Sequence, residues 1–448
     1  MKNVIIVGAG EVGYNLASHL ISEKKNVVLI DKDSEKVKYT SAHLDCIVIK
    51  GAGNNIDILE EAGIENCDIF ISATDSDEVN LISCFIVANE FNVPLKIARV
   101  RNLDYSRKNF FNKSGSGIDF LVNPEIEASK SIVNSIVHGA VSDVFTFEGT
   151  SIQLRDVYID DESDLIGMSL IELRKKYKFN FIVAGILRNE DILIPFGETK
   201  IKEGDNLYIV GDDKNLEMLF KKLGIKRKRI KDVVIVGGGR IGELVAKDLL
   251  TLGKNIMILE KDYDRCKELS EKYESLLVIN ADITDKNVYE EENIRNYDLL
   301  ISATGNEELN ILTSIYAKKI GVKRSIAIVN KTNYLSLASG MGIDATVSTK
   351  ISSVNAILKF IRKGKVKSVY SIFDGKAEAM EITVKENSVL ANKVLKDIDL
   401  PKGALIVAIN RGSDNFIPDG NSKILAGDNI IIFALKNVVD KIEELISS

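Results

Sequence analysis

Cysteine is scarce in this chain of 448 residues, and histidine is scarcer. The four cysteines, Cys46, Cys67, Cys84 and Cys266, form no Cys-x-x-Cys pair and show no metal-ligand spacing. They read as reduced, partly buried thiols rather than a disulfide framework. The three histidines, His19, His43 and His138, are scattered, so a histidine-rich metal site is not expected. No apolar run approaches the roughly 20 residues that cross a bilayer. The N-terminus, Met1 to Val7, runs straight into a strand pattern and lacks the zones of a signal peptide. A cytoplasmic location is therefore expected, compatible with docking on a membrane protein. An excess of basic charge is also missing. Lys and Arg total 59 against 65 for Asp and Glu, a net charge of −6. That argues against a nucleic-acid binder held by phosphate contacts. At 45% hydrophobic and 28% charged residues, the chain has the composition of a folded soluble protein, not a disordered one.

Length alone suggests about three domains, but the chain is an internal repeat. Val4-Ile-Ile-Val-Gly-Ala-Gly-Glu-Val-Gly13 returns 229 residues later as Val233-Val-Ile-Val-Gly-Gly-Gly-Arg-Ile-Gly242. Asp31 and Glu260, each ending the next apolar run, share that offset. Ile71-Ser-Ala-Thr74 matches Ile301-Ser-Ala-Thr304, and Asn80 matches Asn310, at an offset of 230. Further on, Ile194-Pro-Phe-Gly197 matches Ile417-Pro-Asp-Gly420, and Gly204-Asp-Asn206 matches Gly427-Asp-Asn429, at 223. Each half thus holds two modules in the same order, with boundaries expected at 1–123, 143–225, 230–348 and 367–448.

The first module of each half alternates β-branched runs with helical stretches. Strands are expected at Val4–Val7, Val27–Ile30, Cys46–Ile49, Ile69–Ser72 and Lys96–Val100, with helices over Glu11–Ser22 and Val79–Glu90. This pattern predicts an α/β fold with a doubly wound, Rossmann-like parallel sheet and right-handed crossovers. The second module has short strands punctuated by Gly and Asp, such as Phe181–Ile186, Asn206–Val210, Leu405–Ile409 and Asn429–Phe433. With a short helix near Ser169–Lys176, it reads as a small α+β domain. Between the modules lie amphipathic helices. Ile126, Ile132, Val133, Ile136 and Val137 share one face, with Pro124 early in the helix. Ile351, Val354, Ile357, Leu358 and Ile361 share the other. Periodicity leaves open whether each covers its own sheet or a neighbouring module. The run Lys226–Lys231 between the halves reads as a solvated linker.

Chemistry is carried by the glycine turns. Gly8-x-Gly10-x-x-Gly13 follows a strand and opens a helix. The first glycine permits a tight turn, the second lets backbone N–H groups approach a pyrophosphate, and the third allows close helix–strand packing. The helix N-terminus adds partial positive charge. A lone motif of this kind is weak. Here an acid follows at the expected distance, Asp31, and the combination recurs with Gly237, Gly239, Gly242 and Glu260. Asp31 is expected to accept hydrogen bonds from ribose hydroxyls and to repel a 2′-phosphate, favouring NAD(H) over NADP(H), with ATP or ADP as alternatives. Ala73 and Thr74 lie at the carboxyl end of a strand, where ligands of such sheets sit. Asp75, Asp77 and Asn80 read as caps of the following helix. Arg99 is a charge in an otherwise apolar strand and needs a phosphate or carboxylate partner. Its counterpart is Ile328. Arg240 stands where the first loop has Glu11, facing either a phosphate or water. No histidine falls at the carboxyl end of a predicted strand of these sheets, so a sensor fits better than an NAD-dependent oxidoreductase.

With these residues in view, the chain resembles the TrkA family, cytosolic regulatory subunits of bacterial Trk potassium-uptake systems. The likeness spans the whole chain. It rests on Val7-Gly-Ala-Gly-Glu-Val-Gly13, Leu59-Glu-Glu-Ala-Gly63, Ser72-Ala-Thr74 with Asp77, Glu78, Asn80 and Leu81, and Ile97-Ala-Arg-Val100. Glu291-Glu-Asn-Ile294 and Val369-Tyr-Ser371 fit in the second half. The resemblance implies alternating RCK N- and C-domains and no enzymatic activity. It implies a cytosolic ring, expected to be a tetramer, on the inner face of the plasma membrane beneath a potassium-translocating subunit. It also implies NAD(H), ATP or ADP at the N-domains. On that likeness Val7, Gly8, Ala9, Gly10, Glu11, Gly13, Asp31, Ala73, Thr74 and Arg99 form the first site. Gly237, Gly238, Gly239, Arg240, Ile241, Gly242, Glu260 and Thr304 form the second. The amphipathic helices become the family's crossover helices, which favours packing on a neighbouring module. A sensor for another channel or transporter is the competing reading.

Overall fold

The short β-branched runs do become parallel strands, buried except at the edge strands Ile47–Lys50 and Leu277–Asn280. The structure, a computed structural model, describes all residues except 1, 103, 106–116, 138–144, 148–149, 160, 162, 190, 224–229, 363–367, 373–376, 413, 440, 443–444 and 446–448. His138, most of the run 226–231 and the expected boundaries at 143, 225, 367 and 448 lie outside the described residues. The chain divides into two compact units. One comprises Met1–Ser135 with Ile230–Ile361, and the other Ile136–Arg229 with Arg362–Ser448.

The first unit holds two six-stranded parallel sheets. Strands β1 (Asn3–Val7), β2 (Asn26–Asp31), β3 (Ile47–Lys50), β4 (Ile69–Ser72), β5 (Leu95–Arg99) and β6 (Phe120–Val122) stand in the order β3-β2-β1-β4-β5-β6. That is the strand order of a dinucleotide-binding doubly wound sheet, with its switch point between β1 and β4. The remaining strands of this unit repeat it as β14-β13-β12-β15-β16-β17, with β12 at Asp232–Val236, β13 at Asn255–Glu260, β14 at Leu277–Asn280, β15 at Leu299–Ser302, β16 at Arg324–Ile328 and β17 at Ala345–Val347. β1 is buried on both faces from Val4 to Val7, as a strand covered on both sides must be.

For the second amphipathic helix, the question left open by periodicity is settled in this unit. The helix Thr349–Arg362, which follows the second sheet, packs on the first. Val354, Ile357 and Leu358 join Val12, Leu16, Leu20, Leu29 and Ile71 in one core cluster. The rings of Phe120 and Phe360 stack with centroids 4.2 Å apart. Three buried aliphatic side chains of this kind contribute roughly 5–9 kcal/mol. Ile351, expected on that face, is instead exposed, while Ser352 and Ser353 are buried. The first crossover helix, Pro124–Val137, starts at Pro124 as expected, with Asn123 Oδ1 accepting from the amides of Glu125 and Ile126 at 3.0 Å. Its Ser131 hydroxyl lies 3.1 Å from that of Ser352.

The second unit carries two antiparallel sheets. One has the order β10-β9-β11-β8-β7, built from β7 (Phe145–Thr146), β8 (Ile152–Tyr158), β9 (Phe181–Arg188), β10 (Asp191–Leu193) and β11 (Asn206–Asp212). The other has the order β18-β19-β22-β20-β21, from β18 (Ser368–Ile372), β19 (Ala377–Thr383), β20 (Ala404–Arg411), β21 (Asp414–Phe416) and β22 (Asn429–Leu435). They share one apolar layer in which Leu154, Ala184 and Val210 meet Ala379, Val407 and Phe433. The repeated Gly-Asp-Asn triplets have a structural task. Gly204 and Gly427 take left-handed φ values of +78° and +87°. The adjacent carboxylates are buried and grip an arginine in bidentate fashion, Asp205 with Arg188 at 2.7 Å and Asp428 with Arg411 at 2.8 Å.

Three of the four free cysteines are buried and Cys46 is half-buried. Burial pushes the Cys67 thiol up to about 11, as befits an inert core thiol. Among the described residues no helix is long and apolar enough to cross a membrane.

Candidate nucleotide site

Each of the three glycines meets a separate geometric demand. Gly8 turns the chain out of β1 at φ +104°, and its N–H donates to Ile30 O at 2.8 Å. A Cβ there would lie 3.1 Å from the backbone of Ala73 and Thr74. At Gly13 a Cβ would fall 1.8 Å from Gly8 O, so only glycine lets the helix Glu11–Ser22 sit this close to the turn. Gly10 is the N-cap, with no side-chain cap, and a Cβ on it would find only Lys36 Nζ at 4.0 Å. The helix N-terminus is therefore open above Gly10, with N–H groups unclaimed by a capping side chain. That is an anion cradle.

Asp31 does more than end β2. Its Oδ2 accepts from the Ala9 amide at 2.6 Å and its Oδ1 from the Asp33 amide at 2.8 Å. The carboxylate thus braces the loop from inside, a role the sequence reading missed. Spare lone pairs on both oxygens remain for ribose hydroxyls. The second loop repeats the brace. Glu260 Oε2 accepts from Gly238 at 2.7 Å and Oε1 from Asp262 at 2.9 Å. Gly237 turns at φ +103°, and a Cβ on Gly242 would lie 2.0 Å from Gly237 O. Gly239 is the open N-cap of the helix Arg240–Thr251, on which Ile241 follows.

The facing wall is Ala73-Thr74, and its geometry corrects the capping assignment. The N-cap of the helix Asp77–Glu90 is Ser76, whose hydroxyl accepts from the Val79 amide. Asp77 instead accepts from the amides of Arg101 and Asn102, at 2.8–3.0 Å, and so ties down the loop after β5. Asp75 pairs with Arg101 at 2.9 Å. Asn80 is fully buried and staples two strands. Its Oδ1 accepts from Ser72 Oγ, Thr74 N and Thr74 Oγ1 at 2.7–3.0 Å, and its Nδ2 donates to Thr74 O and Arg99 O at 3.0 and 2.8 Å. Asn310 holds Thr304 and Ile328 O in the same way. A cap needs only an exposed acceptor; here the helix start lies against the sheet, so the buried amide satisfies backbone groups of two strands.

Arg99 ends β5 and is buried to 6% exposure. Its Nη1 donates to Thr74 O at 2.9 Å and meets Asp75 at 3.5 Å, while Nε is buried without a hydrogen-bond partner. Burial, and then the neighbouring Arg101, lower its pKa. Gly8, Ala9, Gly10, Asp31, Ala73, Thr74 and Arg99 are thus linked contact by contact at the switch point. Val7 lies buried beneath them. An open helix start, glycines that a Cβ would fill, a carboxylate at the end of β2 and an orphaned guanidinium N–H fit an adenine nucleotide.

The TrkA-N domain family matches residues 4–124 and 233–349, and the TrkA-C domain family matches 154–224 and 379–447. The chain belongs to the TrkA family. It is 33% identical to the Trk system potassium uptake protein TrkA of Halomonas elongata, over 98% of this chain and 96% of that one. It is 32% identical to the TrkA of Haemophilus influenzae, over 99% and 98%. In fold it is similar to a GsuK channel at a TM-score of 0.59 and 17% identity, covering 100% of this chain and 79% of that one. It is similar also to a GsuK channel bound to NAD, at 0.57 and 18%, with the same coverage.

Within this TrkA-family chain the two TrkA-N repeats differ beside their glycine turns. Arg265 donates from Nε to Gly238 O at 2.7 Å, pinning the second loop, and is itself held by Glu243 and by Glu268. Burial pushes the Glu243 carboxyl up, but hydrogen bonds from Lys272, Arg265 and Tyr273 outweigh it and hold the group at about 2. The corresponding positions of the first repeat are Tyr14 for Glu243 and Lys36 for Arg265. This network escaped the sequence reading. Its signal was the run of charges at helical spacing, Arg265, Glu268 and Lys272. Glu11 and Arg240 each pair with a residue of a crossover helix. Glu11 meets Lys350 at 2.6 Å, and Arg240 meets Glu125 at 3.5 Å.

Proposed function

We propose that this chain is the nucleotide-binding regulatory subunit of a Trk-type potassium uptake system, acting from the cytoplasmic face on a membrane-embedded potassium-translocating subunit. The observation that carries the reading is the pair of glycine turns, each braced by its own carboxylate and opening on an uncapped helix start, within a chain whose full-length relatives are named as potassium uptake proteins. NAD(H) is the ligand that the residues favour, with ATP or ADP as the competing adenine nucleotides. Gly8, Ala9, Gly10 and Glu11 would line the pyrophosphate, Asp31 the ribose, and Thr74 and Arg99 the far phosphate. In the second site Gly237 to Ile241, Glu260 and Thr304 take the same places.

The ligand acts as an effector, not as a reactant. It moves the protein only through differential affinity for two shapes, and couplings of about 1–3 kcal/mol are typical. The crossover helices provide the mechanical route. Each glycine loop touches a helix that belongs to the other half, so a change of loop conformation is felt there directly. Self-association into a ring beneath the transporter completes the reading.

Calorimetric titration of the intact chain with NADH, NAD, ATP and ADP, beside potassium uptake by cells with and without it, tests this. Binding that is lost in Asp31→Ala, together with nucleotide-dependent uptake, is expected. Absence of binding by all four nucleotides, or uptake indifferent to the chain, overturns the reading. Arg99→Ala with unchanged ATP against ADP discrimination would remove Arg99 from phosphate recognition.

A further inference from the structure

Two ion pairs tie the halves of the first unit together, and their charges are reversed relative to one another. Glu11 and Arg240 occupy equivalent positions, each the first residue of the helix after its glycine turn. Glu125 and Lys350 are also equivalent, each the second residue of its crossover helix. In one latch the loop supplies the acid and the helix the base, Glu11 to Lys350 at 2.6 Å. In the other the loop supplies the base and the helix the acid, Arg240 to Glu125 at 3.5 Å. The second latch is looser, since Glu125 Oε2 is buried without a hydrogen-bond partner.

The arrangement matters because the two halves are copies of one fold. Their sheets have the same strand order, so backbone shape gives a half little reason to prefer the other half over a second copy of itself. Charge supplies the reason. Two first halves, paired in this geometry, would set Glu11 against Glu125. Two second halves would set Arg240 against Lys350. Only the mixed pairing satisfies all four groups. Aromatic packing points the same way. Phe120 stacks on Phe360, whereas the equivalents of these residues in the opposite halves are Ala345 and Ser135. A pairing of like halves would therefore set a phenylalanine against serine or alanine.

We propose that the two reversed latches are a pairing code, by which each half accepts the opposite half of the chain and refuses its own kind in a second copy. The proposal stands on this geometry and does not depend on which nucleotide binds.

The adjacent Ser131 and Ser352 hydroxyls allow a direct readout. In a Ser131→Cys/Ser352→Cys chain, oxidation is expected to give an intrachain crosslink, identified by peptide mapping. Adding Glu125→Lys and Lys350→Glu sets acid against acid at one latch and base against base at the other, while favouring like-with-like pairing. The ratio of intrachain to interchain crosslink is expected to fall about tenfold, as two partly exposed pairs turn from attraction to repulsion. Adding Glu11→Lys and Arg240→Glu as well makes both latches complementary again and is expected to restore the intrachain product. An unchanged ratio in the first charge variant, or a fully reversed variant as poor as the half-reversed one, overturns the code. Should the half-reversed variant fail to fold, refolding the dicysteine chain at low and high salt decides: the intrachain fraction falls with salt if charge sorts the halves, and a constant fraction refutes it.

Discussion

Replacing Asn80 by alanine tests whether the wall of the first site is held by one buried amide. The substitution removes two donations, to Thr74 O and Arg99 O, and the acceptor for the Thr74 amide. The hydroxyls of Ser72 and Thr74 can rotate toward other acceptors, but the backbone groups cannot. Arg99 O is buried, and the Thr74 amide is partly so. Each backbone group orphaned in this way costs about 1–3 kcal/mol, giving roughly 2–6 kcal/mol for the pair. That energy is local, so the sensitive assay is native-state hydrogen exchange. The Thr74 amide is expected to exchange about thirtyfold faster or more in Asn80→Ala. Asn80→Asp is expected to be worse than alanine, because it sets a carboxylate against two carbonyls in place of the amide N–H groups. Exchange at Thr74 within a factor of about two of the parent, or Asn80→Asp milder than Asn80→Ala, would refute the reasoning.

Three further outcomes follow from the same contacts. Gly13→Ala is expected to lower the melting temperature strongly, because its Cβ would lie 1.8 Å from Gly8 O, whereas Gly10→Ala, facing open space, is expected to leave melting nearly unchanged and to act on nucleotide affinity; equal melting shifts would contradict this. Glu243 has a folded pKa of about 2, lowered from 4.5, so its contribution is complete above pH 4.5 and is lost as pH falls toward 2. Discounted for exposure it amounts to about 1 kcal/mol, and stability curves of the parent and Glu243→Gln are expected to converge over that acid window. Phe360→Ala in the second half, a partly buried ring, is expected to destabilise the first sheet by about 1–3 kcal/mol, read as faster exchange in β1 and β6.

The sequence was most informative where two copies had to meet one geometric demand. The glycine turns with Asp31 and Glu260 were legible because φ near +104° and a missing Cβ leave glycine little competition. The inner strands of the parallel sheets were legible because burial on both faces demands unbroken apolar runs. What stayed hidden depends on partners distant in the chain. Asn80 and Asn310 stood out as a repeated pair, yet a polar residue at a helix start reads as a cap until the carbonyl of Arg99 or Ile328 is seen behind it. The crossover helices showed an apolar face but not what it covers. Glu11 and Lys350 lie 339 residues apart, and no local pattern links them. The Gly-Asp-Asn triplets read as turn punctuation, while their buried carboxylates anchor half-exposed arginines.

The exchanged helix has a consequence for the order of events during synthesis. The apolar face around Val12, Leu16 and Leu20 emerges early from the ribosome, but the segment that seals it, Val354 to Phe360, is made more than 300 residues later. At roughly 5–20 residues per second, that interval is on the order of 15–70 s. For that time the nascent first sheet carries an unsealed greasy flank. Any helper that shields new chains has a defined window in which to act, and any truncated message that stops before residue 349 releases a product with that flank permanently bare.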